Sequence, residues 1–334
     1  MLRIDNAKEF SNKLLAAAKE AESICLTTHV DPDGDGLCTC LALKRILKHL
    51  GYQADIIVDE FNLERFDFLN ASNEVKVDNA ALHYDLVVVI DLHDNGRLNS
   101  RVHLISQAKN VIVMDHHQIE HDMMKCTCCW VDASAVCTGW MLNEAFQSVI
   151  VTMLADEQLY VGTCLYTTLL NDTNNFTNAN TDKHAFELST AVCSYGTKPY
   201  LVHRAFLMSK TPVEMKFIGQ ILSTIELHDN ERILYIHSTL SMLKENKLDD
   251  DATSNITRWV QDLKGVNTIV YFREESTDSY RLSLRSKTLN VHSIAIKYGG
   301  GGHIQASGCL CQGELTELKT RILADIGNAK QLAD

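Results

Sequence analysis

The feature that most constrains the fold is the alternation of short apolar runs with longer helical patterns in the amino-terminal third of the chain. Four runs have the length and the β-branched content of strands: Ile24 to Thr28, Ala54 to Val58, Leu86 to Ile90 and Val111 to Met114. Between the first two, the segment from Leu37 to Leu50 has helical periodicity and is closed by Gly51. This order predicts a parallel sheet flanked by helices, in which ligands gather at the carboxyl ends of the strands.

The rest of the chain changes character twice. From Ala133 to Leu227 the pattern is mostly helical, and strands are expected again at residues 233–237, 268–272 and 280–284, with a helix at 292–298. We therefore expect an α/β protein with a parallel-sheet domain at residues 1–195, a helical linker at 196–227 and a smaller α/β domain at 228–334. A cleft is expected between the two domains.

The charge balance narrows the range of partners. With 43 acidic and 31 basic residues the formal net charge is −12, and such a surface repels the backbone of a long nucleic acid. A duplex nucleic acid is therefore not expected as a partner. A small anionic substrate is compatible with this charge if bound metal ions supply positive charge locally.

Cysteine usage and hydropathy indicate the compartment. The 11 cysteines are odd in number and scattered or in local pairs, which is typical of reduced thiols in the cytoplasm. The longest apolar stretch, Leu86 to Ile90, has the length of a strand, far below the roughly 20 residues that a membrane-spanning helix requires. We expect a soluble cytoplasmic protein without a membrane partner. The sequence leaves the oligomeric state open, and a homodimer is compatible with it.

A dense acidic segment follows the first predicted strand. His29, Asp31, Asp33 and Asp35 place one imidazole and three carboxylates within seven residues. Carboxylates this close repel one another, so a cation is their natural partner, and a solvated acidic turn is the alternative. An EF-hand is excluded, because the twelfth position counted from Asp31 is Ala42 and not the glutamate that ligates calcium.

Two further strand ends and one helix end add candidate ligands. Asp91 follows the third apolar run, Asp115-His116-His117 follows the fourth, and Asp172 follows a helical pattern. A lone aspartate at a strand end is commonly an ordinary polar cap, whereas two histidines beside an aspartate are unusual there. Imidazole together with carboxylate suits manganese, zinc or iron better than calcium. The candidate ligands are sufficient for two ions that share a carboxylate: His29, Asp33, Asp35, Asp91, His116 and Asp172.

Taken together, these motifs resemble a known family. The chain contains H-V-D-P-D-G-D at 29–35, a strand ending in Asp91, D-H-H at 115–117, N-D-T at 171–173, R-S-K at 285–287 and a glycine run at 299–302 followed by His303. This set is similar to that of the DHH phosphoesterase superfamily with a DHH-associated carboxyl-terminal domain. That pairing of domains, together with the compact length of the chain, is similar to the nanoRNase and phosphoadenosine-phosphate phosphatase branch. Two departures flank the expected ligands: Cys38-Thr39 after the acidic segment and Leu92-His93 after Asp91.

The resemblance implies a metal-dependent hydrolase that cleaves phosphoester bonds in short nucleotides and releases mononucleotides. Its expected substrates are 5′-phosphorylated dinucleotides such as pApA and pGpG, other short RNA remnants, and 3′-phosphoadenosine 5′-phosphate. It implies two divalent ions, Mn²⁺ with Mg²⁺ or Co²⁺ as alternatives. The implied ligands are His29, Asp33 and Asp91 for one ion and Asp35, Asp91, His116 and Asp172 for the other. The resemblance thereby makes Asp91 and His116 part of the catalytic centre. For His117 it implies a contact with the scissile phosphate or the leaving oxygen, and the alternative is a hydrogen bond that supports the metal ligands.

The resemblance implies that residues 1–195 are the metal-binding catalytic domain and that residues 228–334 are the substrate-binding domain, with a clamp for a substrate phosphate. Consecutive glycines bring backbone N–H groups close to an anion, and the planar guanidinium of arginine suits bidentate phosphate recognition. The implied clamp consists of Arg285, Ser286, Gly300, Gly301, Gly302 and His303. Three other functions stay open: a cyclic dinucleotide phosphodiesterase, an exopolyphosphatase or pyrophosphatase, and a nucleotide-sensing protein without turnover.

Overall fold

The computed structural model describes residues 2–119, 123–208, 210–230, 232–253 and 256–332, without the side chains of Asp251 and His303. The chain divides into two compact units, Met1–Ser209 and Lys210–Asp334. The segment expected as a helical linker contributes a helix to each unit, Pro199–Leu207 to the first and Pro212–Leu222 to the second.

The described residues of the first unit form a seven-stranded sheet in which every pairing is parallel. Its strands are β1 (Leu2–Arg3), β2 (Ile24–Thr27), β3 (Asp55–Val58), β4 (Val75–Val77), β5 (Leu86–Ile90), β6 (Asn110–Asp115) and β7 (Cys128–Val131). They lie in the order β1-β7-β6-β5-β2-β3-β4. The chain passes from β2 to one side of the sheet and later returns to the other side at β5. The topological switch point, where ligands bind in open α/β sheets, therefore lies between β2 and β5.

Helices cover both faces of this sheet, which is why β2 and β5 are buried along their whole length. Helix α1 shows the general pattern, because Phe10, Leu14 and Ala18 recur every four residues and form its buried face. The helices of the unit are α1 (Ala7–Glu20), α2 (Gly34–His49), α3 (Ala71–Glu74), α4 (Val102–Gln107), α5 (Thr138–Ile150), α6 (Ala155–Asp172), α7 (Lys183–Ser194) and α8 (Pro199–Leu207).

Helix α2 begins at Gly34, earlier than the expected start at Leu37. The reason is that Asp33 caps the helix, since its Oδ1 accepts hydrogen bonds from the N–H groups of Asp35 (2.9 Å) and Gly36 (3.2 Å). Asp35 and Gly36 therefore lie in the first helical turn and not in a loop. A Cβ on Gly36 would come within 2.1 Å of Thr28 Oγ1, so glycine allows the helix to start this close to the end of β2.

The described residues of the second unit form a six-stranded sheet of mixed direction. Its strands are β8 (Glu226–His228), β9 (Ile233–Ser238), β10 (Thr268–Ser276), β11 (Ser279–Ser286), β12 (Gly301–His303) and β13 (Ala306–Gln312). They lie in the order β12-β13-β11-β10-β9-β8, where β9 and β10 are parallel and the other pairs are antiparallel. The helices of this unit are α9 (Pro212–Leu222), α10 (Leu240–Asn246), α11 (His292–Lys297) and α12 (Leu315–Gly327).

The predicted fold class is confirmed: a parallel-sheet unit precedes a second α/β unit. Two inner strands were not expected from the sequence pattern, β7 and β13. Strand β7 (Cys-Cys-Trp-Val) is too short to show periodicity, and β13 consists largely of alanine, serine, glycine and cysteine in place of β-branched residues. Among the helices in the described part of the chain, none combines the length and the apolar character needed to cross a membrane.

Candidate active site

Polar side chains converge at the carboxyl ends of three adjacent strands of the first unit. Strand β5 pairs with β2 on one side and with β6 on the other. The chain leaves these strands at His29, Asp91 and the D-H-H segment, while the start of α2 and the end of α6 reach the same place. The predicted ligands thus lie together in three groups whose ligand atoms are all within 4.8 Å of one another: His29-Asp33-Asp91, Asp35-His116-Asp172 and Asp91-His116-His117.

The carboxylate of Asp35 is completely buried at the amino terminus of α5. Its Oδ2 accepts a hydrogen bond from the N–H of Thr138 (2.7 Å), and its Oδ1 accepts one from the N–H of Gly139 (3.2 Å). These N–H groups and the positive end of the helix dipole favour the ionised carboxylate. Burial nevertheless raises the pKa of Asp35, and repulsion from Asp33 adds to the rise.

The imidazole of His29 is held in one tautomer by its own backbone neighbour. Its Nδ1 lies 2.7 Å from the carbonyl oxygen of Val30, which can only accept, so Nδ1 carries the proton. In the neutral ring the lone pair is then on Nε2, which faces two carboxylates, at 3.7 Å from Asp33 Oδ1 and 3.5 Å from Asp91 Oδ2. A lone pair aimed at carboxylate oxygens is unfavourable unless a cation lies between them.

His116 repeats this arrangement on the other side of Asp91. Its Nδ1 donates to the carbonyl oxygen of Ala135 at 3.2 Å. Its Nε2 lies 3.5 Å from Asp91 Oδ1, 3.6 Å from Asp35 Oδ2 and 3.1 Å from Asp172 Oδ2. Asp91 therefore has one oxygen near each imidazole, which is the position of a shared ligand.

Two carboxylate oxygens of this centre have no hydrogen-bond partner within the described chain, Asp91 Oδ1 and Asp172 Oδ2. Burial, followed by repulsion from Asp35 and other nearby carboxylates, raises the pKa of Asp91 and Asp172 well above the ordinary aspartate value. Unsatisfied buried carboxylate oxygens are costly. Positive charge at this point would satisfy both oxygens and both Nε2 lone pairs, so the donor set fits divalent cations.

Asn171, which the sequence analysis did not assign, lies between two of the carboxylates. Its Nδ2 donates to Asp33 Oδ2 at 3.0 Å and to Asp172 Oδ1 at 3.1 Å, and its Oδ1 accepts from the N–H of Gly34 at 3.3 Å. The side chain thereby ties the start of α2 to the end of α6. Its place beside Asp172 in the N-D-T motif was the available sequence signal.

A buried hydrogen-bonded network of Asp115 and His93 holds the Nδ1 side of the His117 ring. Asp115 is fully buried at the end of β6, and its Oδ1 accepts from the N–H of His116 (2.7 Å) and from the N–H (3.1 Å) and Nδ1 (2.8 Å) of His117. Its Oδ2 contacts Nδ1 of the buried His93. Burial acts to raise the pKa of Asp115, but the hydrogen bonds from His117 and His93 hold it well below its ordinary value. Neither Asp115 nor His93 was among the residues predicted for the site.

In the second unit, Arg285 lies in a basic pocket of about 150 Å³ whose lining includes Arg273, Arg281 and Ser283. These residues share one face of the sheet, because Leu282 and Leu284 point into the core on the opposite face. Arg273 and Arg281 both form ion pairs with Glu275. Arg285 donates to the carbonyl oxygen of Leu284 at 2.9 Å and has no carboxylate partner among the described residues. Burial lowers its pKa, although a guanidinium stays charged at neutral pH.

The glycine run begins strand β12, and its members differ in their surroundings. A Cβ on Gly300 would lie 2.1 Å from the carbonyl oxygen of Gly308, and one on Gly302, whose φ is 131°, would lie 2.6 Å from that of Ala306. Gly301 has no atom within 4 Å of its Cβ position. Packing against β13 therefore requires glycine at 300 and 302, whereas position 301 is open.

The other two residues of the predicted clamp, Ser286 and His303, give no support for phosphate binding. Ser286 is buried, and its hydroxyl lies 2.9 Å from Thr268 Oγ1 and accepts from the N–H of Leu289 at 3.0 Å. Its hydrogen-bonding capacity is thus used within the unit. The side chain of His303 lies outside the described part of the structure.

Two family models match the chain: the DHH family amino-terminal domain at residues 23–169 and the DHHA1 domain at residues 233–328. The chain therefore contains a DHH domain followed by a DHHA1 domain. The predicted family and the predicted enzyme class, a phosphoesterase hydrolase, are confirmed.

Relatives match over most of their length. The protein named bifunctional oligoribonuclease and PAP phosphatase NrnA of Thermus thermophilus is 28% identical over 303 residues, covering 90% of this chain and 88% of that protein. The protein of the same name from Bacillus subtilis is 25% identical over 313 residues, covering 91% and 94%. Among solved structures, an exopolyphosphatase-related protein from Bacteroides fragilis superposes with a TM-score of 0.85 at 18% identity, covering 96% of each chain, and this likeness concerns the fold.

Proposed function

We propose that this DHH-family protein hydrolyses phosphoester bonds in short phosphorylated nucleotides, with two divalent cations held at the carboxyl edge of the first sheet. The proposal rests on one observation: two imidazole lone pairs and two partnerless carboxylate oxygens point at the same small volume. In the metal-free protein such a donor set can be neutralised only by taking up protons, which the raised pKa values of Asp91 and Asp172 favour, whereas divalent cations would satisfy the carboxylate oxygens and the imidazole lone pairs together. We expect His29, Asp33 and Asp91 to hold one ion and Asp35, Asp91, His116 and Asp172 to hold the other.

Bound there, the cations would supply the positive charge and Lewis acidity that phosphoester hydrolysis needs. Mixed imidazole and carboxylate ligands suit Mn²⁺ and Co²⁺ better than Mg²⁺, and we propose Mn²⁺ as the resident ion with Mg²⁺ and Co²⁺ as alternatives. Asn171 and the N–H groups of Thr138 and Gly139 keep the carboxylates in place.

His117 is the residue we assign to the leaving oxygen. Its side chain is 42% exposed, so Nε2 is accessible, while Nδ1 is held by Asp115. The hydrogen bond to Asp115 raises the pKa of His117, which favours the protonated imidazole. A protonated Nε2 can donate its proton to an oxygen that leaves phosphorus.

The proposed substrate class is supported by the relatives and by the basic pocket. Proteins that share most of this chain are named for activity on oligoribonucleotides and PAP. Arg285 presents a charged guanidinium without a carboxylate partner, which suits a phosphate. We propose that Arg285 and the open backbone at Gly301 contribute to binding a substrate phosphate, and that the substrates are dinucleotides, short RNA remnants or 3′-phosphoadenosine 5′-phosphate.

The cysteines suggest where this reaction takes place. All 11 are unpaired, and all but Cys193 are buried. We propose a reducing compartment, the cytoplasm, as the site of action.

A product analysis tests the proposed function. The full chain is incubated with Mn²⁺ and, in separate reactions, pApA, pGpG, cyclic di-AMP, 3′-phosphoadenosine 5′-phosphate, RNAs of graded length and polyphosphate. We expect mononucleotides from the linear dinucleotides and shortest RNAs, AMP from 3′-phosphoadenosine 5′-phosphate, and slow turnover of the cyclic compound. Phosphate release from polyphosphate without any nucleotide product would contradict the proposal. Chelation followed by addition of Mn²⁺, Mg²⁺ or Co²⁺ identifies the preferred ion.

A further inference from the structure

The departure Leu92-His93 directly after Asp91 places a second imidazole on the carboxylate that holds His117. His93 is 6% exposed and its Nδ1 contacts Asp115 Oδ2, while Asp115 Oδ1 accepts from His117 Nδ1 at 2.8 Å. The two histidines therefore lie on opposite oxygens of one fully buried carboxylate. His117 is exposed toward solvent, whereas His93 is enclosed.

Hydrogen-bond donors around Asp115 are divided unequally between its oxygens. Oδ1 accepts three hydrogen bonds, all from its own turn, namely the N–H of His116 and the N–H and Nδ1 of His117. Oδ2 has His93 as its donor among the described residues. An ionised carboxylate only accepts, so Nδ1 of His93 must carry a proton. Without it, Oδ2 would be left buried and unsatisfied.

The backbone fixes His93 in this place. The N–H of Met124 donates to the carbonyl oxygen of His93 at 2.8 Å, and the N–H of Asp91 donates to the carbonyl oxygen of Met114 at 2.9 Å. The turn after β5 is thus anchored to β6 and to the segment that precedes β7. A side chain at position 93 that lacks a donor has no other route to Asp115 Oδ2.

We propose that His93 is a positioning residue for His117: by donating from Nδ1 to Asp115 Oδ2, it fixes the carboxylate plane so that Oδ1 keeps the Nδ1–H of His117 and leaves Nε2 on the exposed side of the ring, whether or not Nε2 carries a proton. The effect on turnover rests on the proposed function, but the effect on the His117 ring does not. Among the described residues, the polar partner of the His93 side chain is Asp115, which is not one of the predicted metal ligands.

Amide and apolar replacements separate this role from simple packing. In His93→Asn the amide nitrogen takes the place of Nδ1 and keeps the donor. His93→Gln places its amide where Nε2 lies, and His93→Leu fills similar space without any donor. Thermal melting of each variant reports whether the fold is kept.

The first readout is the tautomer of the neutral His117 ring, measured by ¹⁵N NMR of the imidazoles in the metal-free full chain at a pH high enough to deprotonate the imidazolium, and assigned with His117→Gln. We expect the Nδ1–H tautomer in the wild type and in His93→Asn, and a mixture of tautomers in His93→Leu. A folded His93→Leu that keeps the pure Nδ1–H tautomer overturns the proposal. If His93→Leu does not fold, the same comparison is made between His93→Asn and His93→Gln.

The second readout is steady-state kinetics on pApA with Mn²⁺. We expect kcat to fall about 10- to 100-fold in His93→Leu with KM within about twofold, and His93→Asn to recover most of kcat. Wild-type kcat in a folded His93→Leu also overturns the proposal. If the wild type hydrolyses no compound of the panel, the proposed function fails, and the tautomer comparison alone decides the role of His93.

Discussion

The two units of this protein present opposite charges to a ligand, and they stabilise those charges in different ways. In the first unit, carboxylates and imidazole lone pairs crowd a buried centre, where Asp91 and Asp172 retain oxygens without hydrogen-bond partners. In the second unit, arginines share one sheet face, and Glu275 forms ion pairs with Arg273 and Arg281 but not with Arg285. The first centre repels a phosphate until cations bind, whereas the second pocket can attract a phosphate by itself. Chemistry should therefore depend on metal, while part of nucleotide affinity should not.

The largest effect is expected where both ligand groups share a residue. Asp91→Ala removes the oxygens that face His29 and His116, so turnover should fall by on the order of 1,000-fold while the fold is retained. Product formation measures the loss, and calorimetric titration with Mn²⁺ measures metal binding. Asp156→Ala, which removes an exposed carboxylate at the start of α6, is the matched control. Undiminished turnover in Asp91→Ala would remove the basis of the ligand assignment.

The next largest effect is expected in the basic pocket of the second unit. Arg285→Ala deletes the charged group without a carboxylate partner, so KM for pApA should rise about tenfold, with a smaller change in kcat. Arg285→Lys should recover part of the affinity, because a lysine keeps the charge but loses the planar fork. Arg232→Ala, at an exposed ion pair with Asp229, serves as the control.

Chelated protein sharpens the same test. Metal-free wild type should still bind pApA in a calorimetric titration, and metal-free Arg285→Ala should bind it more weakly. Equal affinities for the two proteins would show that the basic pocket takes no part in nucleotide binding.

Substitutions at two glycines distinguish a role of the glycine run in phosphate binding from a role in strand packing. Gly300→Ala would push a Cβ against the carbonyl oxygen of Gly308, so the midpoint of thermal unfolding should drop, at a cost of about 1–3 kcal/mol. Gly301→Ala meets no neighbouring atom, so it should leave stability unchanged and raise KM a few-fold if the backbone there approaches a phosphate. Unaltered KM in Gly301→Ala would restrict the role of the glycine run to packing.

The smallest expected effect concerns pH and the stability of the metal-free protein. The folded-state pKa values of Asp35, Asp91 and Asp172 lie above the ordinary value of 3.8, so the folded state binds more protons than the unfolded state above that pH. Stability should therefore decrease as pH rises from 3.8 through the raised values. Asp33 and Asp115 have lowered pKa values, and their opposite contribution is lost below 3.8.

Thermal unfolding of chelated protein across this range checks the direction. Asp91→Asn, which keeps the shape but cannot ionise, should flatten the pH dependence, and saturating Mn²⁺ should reverse it because the ion binds the deprotonated carboxylates. A stability of the metal-free wild type that rises steadily over the same interval would contradict the burial of these groups.

The amino-acid sequence alone determined which side chains are available to the first centre. The order of apolar runs predicted a parallel sheet, and the side chains that follow β2, β5 and β6 predicted where ligands would meet, because neighbouring parallel strands end at the same edge. The residue types can be read from short stretches of the sequence, and the motifs that resemble the family can be read in the same way. The same reasoning placed the start of α2 too late, because the capping role of Asp33 depends on a turn that periodicity does not reveal.

Only the tertiary structure decided how these groups are oriented. Asn171 joins Asp33 across 138 positions of the chain, and Asp35 meets the start of α5 across 103. Which imidazole nitrogen faces the centre depends on distant carbonyl groups such as that of Ala135, and the contact of His93 with Asp115 joins two different strand ends. A sequence pattern specifies which groups are available, whereas hydrogen-bond geometry between distant segments fixes their direction and protonation, because both depend on partners that are brought close only by folding.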